Sequence, residues 1–413
     1  MARLGFGAFL APHHPVIEHP MLQFRRDIAL VEHLDKLGYD EFWCGEHHSS
    51  GWEMIASPEM FLAAAAERTS RIKLATGVVS LPYHHPFNVA QRMVQLDWMS
   101  NGRAIFGSGP GALASDAHTL GIDPMVLRDR QDEALGIIRR LMKGERITYK
   151  GEWFQLNDAA LQLLPLQEEM PFAVASQISP SGMTLAGKYG IGIISLGSMA
   201  PEGLTALPTQ WGFAESAARK AGTTVDRKNW RVLLNWHIAE TREKAIEEAR
   251  IGLQRWHNQY IVATLQRPGA SAYKTPDDAI EQMTAPGSAA VIGTPDDLIK
   301  MIKEVYTSSG GFGHCVGFVH DWANPENTFR SWDMVARYVI PEINGFVTKL
   351  RESERHLQVN RAVFDRAGQA IMAKIMENKD AAEALKVTSN PRVAAASAQV
   401  PKEIGNKGKQ AAE

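Results

Sequence analysis

Short runs in which nearly every residue is apolar alternate along this chain with longer stretches whose apolar positions recur every three or four residues. The first pattern is that of strands buried on both faces, the second that of amphipathic helices. Residues 4–10 read as a first strand. Residues 23–37 read as a helix with Phe24, Ile28, Val31 and Leu34 on one side, stopped by Gly38. Residues 42–45 give a second strand, and the alanine-rich 59–68 a helix started near Ser57-Pro58. Further strands are predicted over 72–81, 103–107, 172–176, 191–196, 231–239 and 314–319, with helices over about 86–99, 129–142 and 242–266 and a β-rich excursion at 145–156. Thr-Pro-Asp-Asp occurs at 275–278 and 294–297, each copy a helix start with threonine as N-cap and proline in the first turn. Eight strands separated by helices predict a parallel (β/α)8 TIM barrel with insertions, spanning residues 1–345.

Past Pro341 the pattern changes. Leu350, Leu357, Phe364 and Ile371 fall seven apart, a narrow apolar row on an otherwise polar stretch. The spacing predicts a helical extension over 346–377 that clasps the barrel or a second copy in a homodimer. The alanine-, lysine- and proline-bearing tail, 378–413, is expected to be weakly ordered.

Composition narrows the partners. A net charge of −2 with no basic stripe or acidic block speaks against nucleic acid and membrane surfaces, and no apolar run is long enough to cross a bilayer. Cys44 and Cys315 lie inside apolar runs and read as buried thiols of a reducing compartment. The first residues show no signal-peptide pattern, so a cytoplasmic location is expected.

Candidate chemistry gathers at strand ends. His13 and His14 follow the first strand, Glu46, His47 and His48 the second, His84 and His85 the third, and His320 with Asp321 the last. A parallel barrel brings such positions to one mouth. Ordinary loop histidines bonded to backbone are the competing reading for His13, His14 and His85. A metal site is disfavoured and none is expected, because the histidines come in adjacent pairs and the fifth and sixth strands end without His, Asp or Glu. The turn Gly107-Ser108-Gly109-Pro110-Gly111 lets backbone approach a ligand, although its spacing is not that of a dinucleotide fingerprint. Ser179-Pro180-Ser181-Gly182 opens a helix and offers hydroxyls and amides to an anion. Together these turns suggest a phosphate-bearing cofactor beside an apolar pocket formed by Phe9, Trp43, Val79, Leu81 and Leu196, with His84 at its edge.

Several stretches resemble the bacterial luciferase-like flavin monooxygenases. They are Leu4-Gly5-Phe6-Gly7, Phe42-Trp43-Cys44-Gly45-Glu46-His47-His48, Ala75-Thr76-Gly77-Val78-Val79-Ser80-Leu81-Pro82, Leu96-Asp97-Trp98-Met99-Ser100-Asn101-Gly102-Arg103 and Val291-Ile292-Gly293-Thr294-Pro295. The resemblance runs over residues 3–345. Within the family, the opening Gly7-Ala8-Phe9-Leu10-Ala11-Pro12-His13-His14-Pro15 and the run Glu46-His47-His48-Ser49-Ser50-Gly51-Trp52 are most similar to the branch that oxidises limonene.

The resemblance implies a TIM barrel that uses reduced flavin (FMN or FAD) and O2. A C4a-hydroperoxyflavin would insert one oxygen atom into a small hydrophobic substrate, in an epoxidation of a monoterpene such as limonene. It implies His47 as the catalytic histidine, neutral or hydrogen-bonding, with Glu46 and His48 around it. Gly77 and Val78 would be joined by a cis peptide under the flavin ring, Gln177 would lie near the flavin, and Ser179, Ser181 and Gly182 would contact its phosphate. One departure stands out: where the luciferase branch has a phosphate-binding arginine after strand four, this chain has Pro110. The amides of Gly109 and Gly111 are then expected to help, or Arg128 or Arg130 to substitute. No nicotinamide-binding fold is legible, so NADH would act through a separate NADH:flavin reductase. A deazaflavin (F420)-dependent oxidoreductase on the same fold, and a metal-dependent barrel hydrolase, are the alternatives.

Overall fold

The computed structural model describes residues 2–267 and 269–386. The described residues fall into two compact units that divide after residue 344.

The first unit is built on eight parallel strands: β1 (Gly5–Leu10), β2 (Glu41–Cys44), β3 (Lys73–Thr76, resumed at Val79–Ser80), β4 (Ala104–Gly109), β5 (Phe172–Ser176), β6 (Gly192–Ser195), β7 (Trp230–Ile238) and β8 (His314–Val319). Each pairs with its neighbours in chain order, and β8 pairs with both β7 and β1, closing the ring. This is the (β/α)8 barrel the alternating pattern predicts. Two additions lie off the ring. An antiparallel hairpin covers Ile147–Lys150 and Gln155–Ala159, and Ala290–Gly293 pairs with the end of β7 beyond its contact with β8.

Alternation along each strand divides the core in two. Phe6, Phe42, Leu74, Phe106 and Val174 point outward and pack under the helices. Phe9, Trp43, Ala75, Ile105, Ala173, Ile194, Leu233, Val316 and Phe318 point inward and fill the lumen. Large and small residues are mixed there, so two stacked phenylalanines and one tryptophan fit beside alanines.

A buried ion pair closes the lumen at the strands' N-terminal ends. Glu41 receives Arg231 Nη2 at 2.7 Å and Nε at 2.9 Å, and the Trp43 indole donates to the same carboxylate at 3.0 Å. Burial pushes the Glu41 pKa up, but the Arg231 and His314 charges and these hydrogen bonds outweigh it and hold the group at about 2.

The helical stretch expected over 242–266 is an α-helix only to Arg255. Residues Trp256–Thr264 widen into a π-helix, a geometry often found where a helix borders a functional site. No helix among the described residues is long and apolar enough to cross a membrane.

The second unit holds helices Thr348–Val359, Arg361–Glu377 and Lys379–Lys386. A break at Asn360 divides the expected extension, and Leu350, Leu357, Phe364 and Ile371 are 69, 57, 42 and 62% exposed. Of the tail expected from 378, residues 379–386 are helical and 387–413 lie outside the described residues.

Candidate active site

β2 runs apolar to Cys44 and releases Gly45-Glu46-His47-His48 at the C-terminal rim, where parallel barrels place their chemistry. Glu46 is buried and serves as an anchor. Its Oε2 accepts the Ser80 amide at 2.8 Å, while Oε1 meets His48 Nε2 at 2.8 Å and His84 Nε2 at 2.7 Å. Burial pushes its pKa up, but the His48 and His84 hydrogen bonds, the His84 charge and the Ser80 amide hold it at about 2. Glu46 is therefore a carboxylate at neutral pH, and it orients two of the rim histidines.

The His47 ring is turned the other way. Its Nδ1 meets Asp116 Oδ2 at 3.1 Å and its Nε2 stands 3.1 Å from Glu53 Oε1. Burial pulls the His47 pKa down. The charge of Glu53, the hydrogen bond and charge of Asp116 and the charge of Glu46 together pull harder, and the net shift is upward. The resemblance implies a neutral or hydrogen-bonding ring; in the structure both nitrogens face carboxylates, which favour the protonated form.

His13 joins the same cluster. Its Nε2 meets Glu53 Oε1 at 2.9 Å, and its Nδ1 accepts the Trp256 indole N–H at 3.3 Å. Tyr260, on the π-helix, donates its hydroxyl to Glu53 Oε2 at 2.7 Å and lies 4.3 Å from the His13 ring. Trp52, Trp256 and Tyr260 form an aromatic cap next to His13 and Phe318. His14 faces away, between Asp27 and Asp321 at 2.9 and 2.8 Å, so of this adjacent pair only His13 reaches the rim cluster.

The other predicted positions divide clearly. The Gly77–Val78 peptide is cis, and Val78 is half-buried. Phe9 and Leu196 belong to the lumen cluster, with Ala175 and Met199 as partly exposed apolar neighbours. Trp43 is fully buried lower down, where its ring meets the Arg231 guanidinium at 5.3 Å, so it forms part of the floor. Leu81 and Val79 are buried in the layer between strands and helices, not in the lumen. Gln177 is exposed.

The glycines of the fourth turn are occupied by protein neighbours. A Cβ on Gly109 would lie 2.5 Å from Val78 Cγ2, and one on Gly111 would lie 2.2 Å from the Tyr83 hydroxyl. Their smallness serves packing, and only their amides are left to offer a ligand. Gly182 seats the helix Ser181–Tyr189 against β5, since a Cβ there would be 2.3 Å from the Ala175 carbonyl oxygen.

The helix start at Ser181 has no side-chain cap, which leaves first-turn amides open. Ser179 and Ser181 hydroxyls stand 2.9 Å apart, and Arg128 donates through Nε to Ser181 Oγ at 3.3 Å. Arg130 instead lies over the Trp153 ring at 5.2 Å. Of the two arginines considered as substitutes, Arg128 is the one at the serine turn. The buried Tyr83 hydroxyl has no hydrogen-bond partner among the described residues, and its ring meets His48 edge-on at 5.8 Å. Open amides, two hydroxyls and a cation at one turn suit a phosphate. An apolar lumen rim with an unpartnered hydroxyl suits a flat heteroaromatic ring, so the residues present fit a flavin.

Glu46, His48 and His84 do bring three metal-ligating atoms within 4.8 Å of one another, which the adjacency argument did not anticipate. In this arrangement both imidazole nitrogens are bonded to one Glu46 oxygen. Glu53, Asp116, Tyr260 and Trp256 were missed by sequence reasoning. Glu53 is an isolated bridge residue, Asp116 lies in a six-residue helix and Trp256 and Tyr260 lie in the π-helix, and the one available signal was a carboxylate six residues beyond a histidine.

Comparison with known proteins accords with this geometry. The family model for luciferase-like monooxygenases matches residues 4–311. The chain is 46% identical over 364 residues to the limonene 1,2-monooxygenase of Rhodococcus erythropolis, covering 88% of this chain and 93% of that protein. It is likewise 46% identical over 349 residues to the 4-hydroxyprotoasukamycin monooxygenase of Streptomyces nodosus subsp. asukaensis, covering 84% and 94%. The oxygenating constituent of the 3,6-diketocamphane monooxygenase of Pseudomonas putida, solved in complex with FMN, superposes with a TM-score of 0.70 at 25% identity, covering 83% of this chain and 99% of that one. A closed parallel barrel with this rim, matched over most of its length by these enzymes, belongs to the luciferase-like monooxygenase family, and the chain is a monooxygenase.

Proposed function

We propose that this protein uses reduced flavin and O2 to add one oxygen atom to a small, oily alkene, and that a cyclic monoterpene is its substrate class. One observation carries the reading: an ionisable histidine, His47, fixed by two carboxylates at the rim of an apolar lumen beside an aromatic cap. Reduced flavin, when bound, supplies the activation of O2. Everything else falls to the chain. Ser179, Ser181, the open amides near Gly182 and Arg128 would hold the phosphate. Val78, Ala175, Leu196 and Met199 offer apolar surface to the ring and the guest. Trp52, Trp256 and Tyr260 keep water out, so oxygen is spent on the guest instead of being released as peroxide. His47 holds its protons between Asp116 and Glu53 at the edge of this apolar space.

Two relatives of equal identity carry different substrate names, one of them a monoterpene. A relative from Acinetobacter baylyi is described as the oxygenase component of a flavin-dependent trigonelline monooxygenase. This supports delivery of reduced flavin by a separate NADH-dependent reductase.

The experiment supplies chemically reduced FMN or FAD under air with a panel of monoterpenes, followed by product mass. A gain of one oxygen atom is expected, with limonene giving an epoxide. Substrate turnover without oxygen consumption would instead point to the deazaflavin-type hydride chemistry found on the same fold.

A further inference from the structure

Glu53 belongs to none of the motifs above, yet its carboxylate joins three parts of the rim. It is 4% exposed. One oxygen meets His13 Nε2 at 2.9 Å and His47 Nε2 at 3.1 Å, and the other accepts the Tyr260 hydroxyl at 2.7 Å. The Trp256 indole N–H can only donate, so His13 Nδ1 accepts and the His13 proton sits on Nε2, pointing at Glu53. Backbone fixes the carboxylate's position: residue 53 bridges to His13, and the His47 amide donates to Ile55 O at 3.0 Å.

The partners of His47 decide its protonation. Asp116 is itself pinned, accepting the His48 amide at 3.1 Å and the Ser49 hydroxyl on its Oδ1 while Oδ2 meets His47 Nδ1. A neutral imidazole has one N–H and one lone pair. Flanked as it is, a neutral His47 would turn its lone pair toward one carboxylate at 3.1 Å. An imidazolium presents a proton to each. The groups facing the ring are Glu46 and His48 from its own loop, Asp116 from the helix Ala114–Thr119, and Glu53 with its partners His13 and Tyr260. The carboxylates prevail in that set.

We propose that Glu53 is a positioning residue that keeps His47 an imidazolium and ties its ring, through Tyr260, to the aromatic cap. His47 then meets the bound guest as a fixed cation, its two N–H groups committed to Asp116 and Glu53, and not as a base. The inference rests on the reading of His47 as the proton-holding group of the site.

Nitrogen NMR of the histidine-labelled full-length protein tests it, with the His47 signals assigned by their loss in His47→Gln. Both ring nitrogens of the wild type are expected in the protonated range at pH 7. Glu53→Gln is expected to lower the His47 midpoint by about one unit, a tenfold change in proton affinity, and Glu53→Asp to restore part of it. A neutral His47 in the wild type at pH 7, or a midpoint unmoved in folded Glu53→Gln, overturns the proposal. The wild-type spectrum decides alone if the variant fails to fold. A neutral His47 in a protein that still oxygenates its substrate removes this inference and leaves the function standing. A charged His47 in a protein that oxygenates nothing with either flavin does the reverse.

Discussion

His47 and His48 are neighbours in the chain and answer to different acids. His48 turns to Glu46, which also holds His84, while His47 turns to Asp116 and Glu53. Successive side chains leaving a strand diverge, so one loop can supply two separate polar clusters. The consequence is a division of labour that mutation can expose. Replacement of His47 by alanine is expected to cut oxygenated product by about 100-fold while flavin oxidation continues as peroxide release, measured by parallel product and peroxide assays. Glu46→Gln acts differently. It weakens the anchoring of both His48 and His84, so product yield is expected to fall, while the His47 midpoint, to which the Glu46 charge is the smaller contributor, is expected to drop less than in Glu53→Gln. The run at 46–48 was legible from the sequence because a short apolar strand ended in ionisable groups, and the resemblance singled out His47 within it. Glu53 and Asp116 were not, because a lone bridge residue and a six-residue helix are too short to carry a periodicity that says which way a carboxylate points.

The strands were legible as elements because burial on both faces makes them near-continuous apolar runs, and each of the eight runs read from the sequence became a barrel strand. What the pattern could not carry was departure from regular geometry. The stretch after Arg255 keeps a helical composition, yet its π-helical turns aim Trp256 and Tyr260 at the rim cluster. The glycine-rich fourth turn misled for a related reason: a glycine left bare for a ligand and one pressed against a neighbour look alike in sequence. Gly182 shows the second kind at work. A methyl group there would meet the Ala175 carbonyl oxygen at 2.3 Å and push the serine turn off β5. Gly182→Ala is therefore expected to weaken flavin binding by at least about tenfold, read by fluorescence quenching, with the barrel still folded by circular dichroism.

At the scale of the whole barrel, the first and last strands are joined by a clasp outside the reactive rim. His14, in the loop after β1, lies between Asp27 of the helix Pro20–Leu37 and Asp321 in the loop after β8, with Arg26 also on Asp321 at 2.9 Å. Burial pulls the His14 pKa down, but its hydrogen bonds to the two aspartates and their charges raise it from 6.5 to about 9. Burial raises the Asp27 pKa against the pull of His14, so both groups hold protons more firmly in the folded state. The sign follows. The stabilisation from His14 is fully present below pH 6.5 and is lost as pH rises through about 9. It amounts to something on the order of 3 kcal/mol. Melting temperature is expected to fall across that window in the wild type and to change less in His14→Gln, measured by calorimetry at matched ionic strength.

The ion pair of Glu41 and Arg231, with the Trp43 ring against it, is buried at the strands' N-terminal ends, opposite the C-terminal rim that carries the histidines. On the proposed function, cofactor, guest and product would share that rim, and whatever lodges deepest there would be obliged to arrive first and depart last. Crowding by excess guest is then a traffic problem written into the architecture, and it should show as slower turnover when the guest is added before the reduced flavin than when it is added after.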